Sequence, residues 1–352
     1  MGEQKKSAFS HSEEWFRKIR PLYESLTAIV CGTIEGLIKD KKIDYLSVIG
    51  RPKSLESFLE KVKRKGYQNP QKEIHDLCGV RIIAYIESDV DRVAEIVKSS
   101  FNCHPDKSLD KTSELGIDKT GYRSIHIVCD LGNTREKLPE YAPYKGMLFE
   151  VQIRTVLQHA WAEIEHDRNY KFAGVLPDDL QRRFYLAAGT LEMVDREFDS
   201  IAKAIDEYAK TVAEKTKRGE LAIPIDSTTL LEYFRTKFSN DKRIKLLGSY
   251  DEIIIGELNC FGIKTIKDLD NLIESENILQ YYDNTINYSD LGFLRDAMIF
   301  KDIDHYFDKC WKGHWIAETS DCLLWGRKYG IKKIEKVISK HKITADDEDY
   351  LK

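Results

Sequence analysis

Three side chains in one short run can do chemistry together. In the stretch FEVQIRTVLQHAWAEIEHDRNYK (149–171), Phe149, Val151 and Ile153 alternate with Glu150, Gln152 and Arg154. That period of two predicts a strand with an anion, an amide and a cation in a row on one face. The period then changes. Val156, Leu157, Ala160, Trp161 and Ile164 recur at helical spacing, so a helix carrying His159, Glu163 and His166 follows at once. Alone, such a strand reads as a wet edge; matching chemistry upstream favours a site. Asp76 stands before the apolar, β-branched run Val80 to Ile86, which predicts a central strand with Arg81 just inside it. A carboxylate at the mouth of a buried strand can serve Mg²⁺, which takes hard oxygen donors together with substrate phosphates. The plainer role for Asp76 is to cap a turn.

A basic cluster precedes these carboxylates, in IDYLSVIGRPKSLESFLEKVKRKGY (43–67). Val48-Ile49 reads as the end of a short strand and Gly50-Arg51-Pro52 as a turn. A helix follows, with Lys53, Ser57, Lys61 and Arg64 on one face and Leu55, Phe58, Leu59 and Val62 on another. Gly66 can end it. Lysines so arranged make either a solvated surface helix or, with the helix N-terminus, a cradle for polyphosphate. Arg51 at the junction tips the reading towards the cradle. Downstream, GYRSIHIVCDL starts another strand, with Ser124, His126 and Val128 opposite Ile125 and Ile127. Tyr122 at its entrance either packs or stacks on a base. Residues 102–120 read as a polar loop over the site, and 132–146 as a second loop.

Other elements must hold these groups in place. Trp15, Ile19, Leu22, Leu26, Ile29 and Leu37 give residues 12–42 a helical pattern, with Pro21 marking a kink or the first turn of a second helix. A long helix from Pro177 to about Lys217 carries a heptad seam: Leu180, Phe184, Ala187, Leu191, Val194, Phe198, Ile201, Ile205, Tyr208 and Val212. The seam either packs within the chain, the reading preferred for its first half, or joins copies into a homo-oligomer. The charged segment 215–220, with Gly219 and then Pro224, sets a domain boundary between 1–218 and 219–352. The remainder reads as mostly helical. Within it, Leu258 to Ile273 resembles two helices around a turn at Gly262, too weakly basic to favour nucleic acid over protein or intramolecular contacts. His305, Cys310, His314 and Cys322 match no zinc spacing, and buried thiols account for the cysteines.

The bulk composition fits this organisation. At 352 residues the chain has room for about two domains. A net charge of -4 means that any phosphate-binding patch is local. The 7 cysteines form no CxxC pair, and the N-terminal residues contain no signal peptide, which points to a reduced, cytoplasmic chain. No apolar run is long enough for a membrane span.

In order, the motifs are R-x-K…S…K (Arg51, Lys53, Ser57, Lys61), D-x-x-G-x-R (Asp76 to Arg81), G-Y-R-S-x-H (Gly121 to His126) and E-x-Q-I-R-T…W-x-x-I-E-H…Y-K (Glu150 to Lys171). Together they resemble the synthetase domain of RelA/SpoT proteins, the alarmone (p)ppGpp synthetases of the stringent response. The resemblance implies an α/β fold: a nucleotidyltransferase-like mixed sheet flanked by helices, here followed by a mostly helical C-terminal region. It implies transfer of the β,γ-pyrophosphate of ATP to the 3′-hydroxyl of GDP or GTP, with release of AMP. Carried over by position, Arg51 and Arg81 sandwich the adenine, and Lys53, Ser57 and Lys61 hold the ATP phosphates. Asp76 and Glu150 bind Mg²⁺, with Glu150 also the base for the hydroxyl. Tyr122 stacks on the acceptor's guanine, His126 meets its phosphates, and Gln152 and Arg154 line the acceptor side.

Two departures fall on the acceptor side. Asp118-Lys119-Thr120 stands where many members have Lys-x-Asn, so that Lys119 replaces the cation out of register. His159 stands where small synthetases often have Asn. They leave the acceptor open, and a toxic relative that pyrophosphorylates the tRNA 3′ end, with the C-terminal region as a fused antitoxin or phage sensor, is the alternative. A non-catalytic nucleotide-binding module is the third reading, opposed by the presence of Asp76, Glu150 and the cations. The segment before Ile43 is too short for the hydrolase domain of the long members, so the expectation is a small, synthetase-only type with a C-terminal extension.

Overall fold

The computed structural model describes residues 2–110, 124–171, 177–283 and 286–343, with side chains left aside at 2–10, 109–110 and 166–171. The chain forms two compact units, Met1–Ala202 and Lys203–Lys352. They divide inside a long helix, Asp178–Lys217, rather than at the charged segment 215–220. The reason is Val212, which is buried in the core of the second unit.

The first unit is built on a mixed sheet. Its elements are α1 (Gly2–Asp40), β1 (Tyr45–Pro52), α2 (Leu55–Lys65), α3 (Pro70–Glu73), β2 (Cys78–Ala84), α4 (Glu87–Ser100), β3 (Asn102–Cys103), β4 (Leu109–Asp110), β5 (Ile125–Asp130) and β6 (Phe149–Thr155). A site helix, Val156–Lys171, follows β6 without a break. The strand order is β1-β2-β6-β5-β3, with β4 also on β5. The central β2 and β6 run parallel, and the remaining pairs are antiparallel.

Alternation divides the sheet into an apolar and a chemical face. Val80 and Ile82 of β2, Phe149, Val151 and Ile153 of β6, and Ile127 and Cys129 of β5 are buried with Leu26, Val30, Ile34 and Ile38 of α1 and Val93, Ala94 and Val97 of α4. Each large side chain buried there contributes roughly 1.5–3 kcal/mol, so a one-residue slip of β6 would expose its core residues together. The register puts Arg51 opposite Gly79, Gly79 opposite Glu150, Arg81 opposite Gln152 and His126 opposite Gln152. These positions therefore share the other face.

Two expectations are corrected here. Gly50-Arg51-Pro52 is not a turn but the end of β1, with Pro52 paired to Cys78. A proline is tolerated there because β1 is an edge strand. Lys53 consequently lies before the helix rather than on it. The N-cap of α2 is Ser54, whose Oγ accepts from the Ser57 amide, and Gly66 closes the helix in the left-handed region. Pro21 neither splits nor starts a helix, since α1 runs through it. Packing on both sides explains this: Phe16 stacks on Phe58 of α2 at 4.3 Å, and Leu26 onwards packs on the sheet.

The long helix leaves much of its heptad seam uncovered within the chain. Val194, Phe198, Ile201, Ile205 and Tyr208 of its seam are exposed. Towards the sheet the same helix instead turns Asp195, which accepts from Thr155 Oγ1 at 2.6 Å, and Asp199, which accepts from the Ser88 amide at 2.9 Å.

The second unit is mostly helical, with a two-residue parallel strand pair, Ile244–Lys245 on Tyr288–Ser289. Phe234, Phe293, Phe300, Tyr306 and Trp325 fill its core. The helix pair around Gly262 (φ +94°) is present, Glu252–Phe261 and Ile266–Glu276. Its turn is pinned by backbone bonds from Ile225 to Lys264 and from Ile266 to Ile223, and Asp268 takes the Thr265 amide. The turn thus serves intramolecular packing. Cys310 and Cys322 are buried in the same core. Among the described residues no helix is long and apolar enough to cross a membrane.

Candidate active site

The chemical face of the sheet opens on a cavity of about 360 Å³, lined by Arg51, Pro52, Lys53, Ser54, Ser57, Asp76, Gly79, Val80, Glu150 and Gln152. Asp76 and Glu150, distant in sequence, thus meet in one space. Gly79 forms its floor, and a Cβ there would lie 3.0 Å from the Arg51 carbonyl oxygen. A side chain at that position would force β1 and β2 apart.

Asp76 Oδ2 accepts from Lys53 Nζ at 2.7 Å and Lys61 Nζ at 2.8 Å, while Oδ1 is buried with no hydrogen-bond partner among the described residues. Burial works to raise the carboxyl's pKa. The Lys53 charge and the hydrogen bonds from both lysines outweigh it, and the net shift is downward. The group is held ionised with one oxygen open. Next to the cations, Ser57 Oγ accepts from Ser54 Oγ at 2.9 Å. His75 is biased towards its neutral form by burial and by the charges of Lys107 and Lys61.

Glu150 is gripped on both oxygens. His126 Nδ1 lies 3.0 Å from Oε1, and Gln152 Nε2 donates to Oε2 at 2.8 Å. A carboxylate only accepts, so the His126 proton sits on Nδ1, leaving Nε2 at 2.8 Å from Ser124 Oγ. Arg154 Nη2 in turn donates to Gln152 Oε1 at 2.9 Å. The row read from the alternation is one hydrogen-bonded chain. Burial would raise the pKa of Glu150, but the His126 and Gln152 bonds bring it below its ordinary value despite repulsion from Asp76. That repulsion is the electrostatic sign of two carboxylates converging.

The set fits a magnesium ion. Mg²⁺ is commonly held by one or two carboxylates plus substrate phosphates, and the site offers Asp76, whose buried Oδ1 has no hydrogen-bond partner among the described residues, on the same cavity as Glu150. Among the described residues no group of three His, Cys, Asp or Glu could hold a metal on its own, so substrate oxygens would complete the shell.

Arg81 is on the same face, but its guanidinium is taken by a residue to which the sequence assigned no role: Nη1 donates to Glu163 Oε1 at 2.5 Å. His159, expected on the acceptor side, is beside this same Glu163, Nδ1 to Oε1 3.7 Å. Ser124, the serine of the G-Y-R-S-x-H motif, was given no role of its own and stands behind His126. Tyr122 and Lys119 lie outside the described residues.

The family model described as "Region found in RelA / SpoT proteins" matches residues 50–174. The GTP pyrophosphokinase YjbM of Bacillus subtilis is 31% identical over 176 residues, which cover 49% of this chain and 79% of that protein. The chain belongs to the RelA/SpoT family. A second Bacillus subtilis relative, the GTP pyrophosphokinase YwaC, is 33% identical over 162 residues, covering 44% of this chain and 73% of its own. Among solved structures, the small alarmone synthetase 1 from Bacillus subtilis is 27% identical, with 55% of this chain and 99% of that one covered and a TM-score of 0.47. Every RelA/SpoT motif residue named above, Arg51 to Lys171, falls inside the matched region. The helical unit from Lys203 onward lies beyond it.

Proposed function

We propose that this chain is a GTP pyrophosphokinase that transfers the β,γ-pyrophosphate of ATP to the 3′-hydroxyl of GDP or GTP. The observation that carries the reading is the convergence of Asp76 and Glu150 on one cavity edged by Lys53 and Ser57. The names of YjbM and YwaC support the reaction class.

The residues divide the work as follows. The bond from the acceptor 3′-oxygen to the β-phosphorus forms, the bond between the α,β-bridging oxygen and the β-phosphorus breaks, and AMP leaves. Lys53 and Lys61, which share Asp76 Oδ2, move onto phosphate oxygens when the triphosphate arrives, with Ser57 donating beside them. Arg51 and Arg81 flank the adenine. Glu150, held ionised and aimed by His126 and Gln152, accepts the 3′-hydroxyl proton. Asp76 and Glu150 would hold magnesium, which would supply charge neutralisation on the transferring phosphates. His126, Gln152 and Arg154, with Tyr122, Lys119 and His159, are assigned to the acceptor end. The reaction is proposed to run in the cytoplasm, in line with the reduced cysteines expected from the sequence. A second copy of the chain is the partner proposed for the exposed seam of the long helix, and light scattering on the full chain tests that.

One assay tests the reading. The protein is incubated with magnesium, ATP labelled on the transferred group, and GDP, GTP or bulk tRNA in separate reactions. AMP with label on the guanosine nucleotide is the expected result. Label on tRNA moves the acceptor to the alternative, and absence of AMP under all three conditions overturns the enzyme assignment.

A further inference from the structure

Arg81 stands on β2 one alternation beyond Gly79, so it shares the face that forms the cavity floor. Its side chain is 10% exposed, and its Nε is buried with no hydrogen-bond partner among the described residues. The hydrogen bond that fixes the guanidinium comes from the site helix, through Glu163. Two more guanidinium groups are close: Arg154 feels the repulsion of Arg51 and the attraction of Glu163 ahead of that of Glu150. Glu163 therefore bonds Arg81 directly and attracts Arg154 as well. His159, the other group near Glu163, is biased to its neutral form by burial and by the Arg154 and Arg51 charges, so it does not compete for the carboxylate.

We propose that Glu163 is a positioning residue for ATP: by holding Arg81 on the sheet face, it keeps the guanidinium flat beside the nucleotide base. The inference rests on the reading of this cavity as the ATP site. A guanidinium buried with its Nε unpaired is poorly hydrated and presents its plane to an aromatic ring, the arrangement that stacks on a base. Without Glu163 the same group would be a buried cation beside Arg51 and Arg154, with every reason to swing into solvent. The phosphate cradle of Lys53, Ser57 and Lys61 is built on β1 and α2 and does not depend on Glu163.

That separation gives the test. Binding of a non-hydrolysable ATP analogue and of inorganic tripolyphosphate is measured by calorimetry on the wild-type chain, Glu163→Gln and Glu163→Asp. The half-exposed Glu163 contributes a discounted charge-assisted bond, so Glu163→Gln should weaken the ATP analogue roughly three- to tenfold. Tripolyphosphate should bind as before, and Glu163→Asp, which keeps the charge, should recover much of the loss. Unchanged or tighter binding of the analogue to Glu163→Gln overturns the proposal, as does equal weakening of both ligands. If the wild type releases AMP in the kinase assay and yet Glu163→Gln binds normally, only this inference falls. If the wild type binds no ATP analogue at all, the reading of the cavity falls and takes the inference with it.

Discussion

Asp76 of the sheet unit and Asp296 of the helical unit are both withdrawn from water, with opposite consequences. Asp76 has one oxygen between two lysines and one without a partner, faces a cavity, and has its pKa lowered. Asp296 has both oxygens occupied, Oδ1 by Trp325 Nε1 at 2.8 Å and Oδ2 by Tyr282 Oη at 2.6 Å. Burial pushes its carboxyl up to about 7, against the lowering effect of those two bonds. The neighbours of Asp76 are cations that a phosphate could claim, whereas those of Asp296 are neutral donors built into the core. A buried acid kept ionised and half-satisfied is poised for a ligand, and a buried acid fully satisfied by neutral donors is architecture. Glu257 is architecture of another sort, a buried acid paired with the Arg295 cation and with Tyr306 Oη.

If the contrast is right, changes in the two regions should separate activity from stability. The largest effect is expected at Glu150→Gln, which removes the base and one of the two carboxylates: turnover should fall by about 10³-fold or more. Thermal unfolding should stay near that of the wild type, because the His126 ring can change tautomer and accept from the new amide, a relief that the donor-only indole of Trp325 does not offer Asp296→Asn. Near-normal AMP release from this variant would end the assignment of Glu150. Asp76→Asn should also cost most of the turnover, again with a small change in stability. Asp296→Asn should do the reverse. It leaves a donor facing Trp325 or Tyr282, and unsatisfied buried polar groups cost about 1–3 kcal/mol each. Urea unfolding of the three variants reads the difference, and loss of stability at Asp76 matching that at Asp296 would erase the distinction.

The pH dependence sharpens the comparison. The pKa of Asp296 is raised, so its protonated form stabilises the fold at acid pH, and that contribution is lost as the pH rises from the ordinary carboxylate range through about 7. Asp76 and Glu150 are lowered, so their contributions are present at neutral pH and lost only as the pH falls below that range. Hydrogen exchange of the helix Asp290–Lys301 should therefore slow between about pH 7 and pH 5, after correction for intrinsic rates, while β2 and β6 stay unchanged. In Asp296→Asn the first trend should vanish; if it persists, another group is responsible.

These contrasts were unevenly legible in the sequence. The row Glu150, Gln152, Arg154 could be read because a strand's period is local, and its apolar partners Phe149, Val151 and Ile153 are fully buried. Arg51 and Lys53 line one cavity with Asp76 and Glu150, but they stand on other elements than the sequence suggested. Gly-Arg-Pro has the composition of a turn, and only its position on an edge strand lets Pro52 continue the ladder. The seam of the long helix could not name its own partner. Its apolar spacing is genuine, yet the side turned to the sheet is fixed by Asp195 and Asp199, whose partners Thr155 and Ser88 are remote in sequence. The link from Arg81 to Glu163 spans two elements and leaves no local trace either.

The smallest effect expected is at Gly79, and it probes why the site tolerates no bulk at its floor. Gly79→Ala places a methyl group 3.0 Å from the Arg51 carbonyl oxygen, a backbone atom that cannot rotate away. The β1–β2 ladder must give by a few tenths of an ångström. Arg51 and Lys53 ride on that strand end, whereas Glu150 is held from β5 and β6. The variant should thus raise KM for ATP about two- to fivefold while kcat changes less, the signature of lost ground-state binding. It should cost about 1 kcal/mol or more in stability, as overpacking does. A fall in kcat with KM unchanged would mean that the shift reaches Glu150, and that the donor and base halves of the sheet are not mechanically separate.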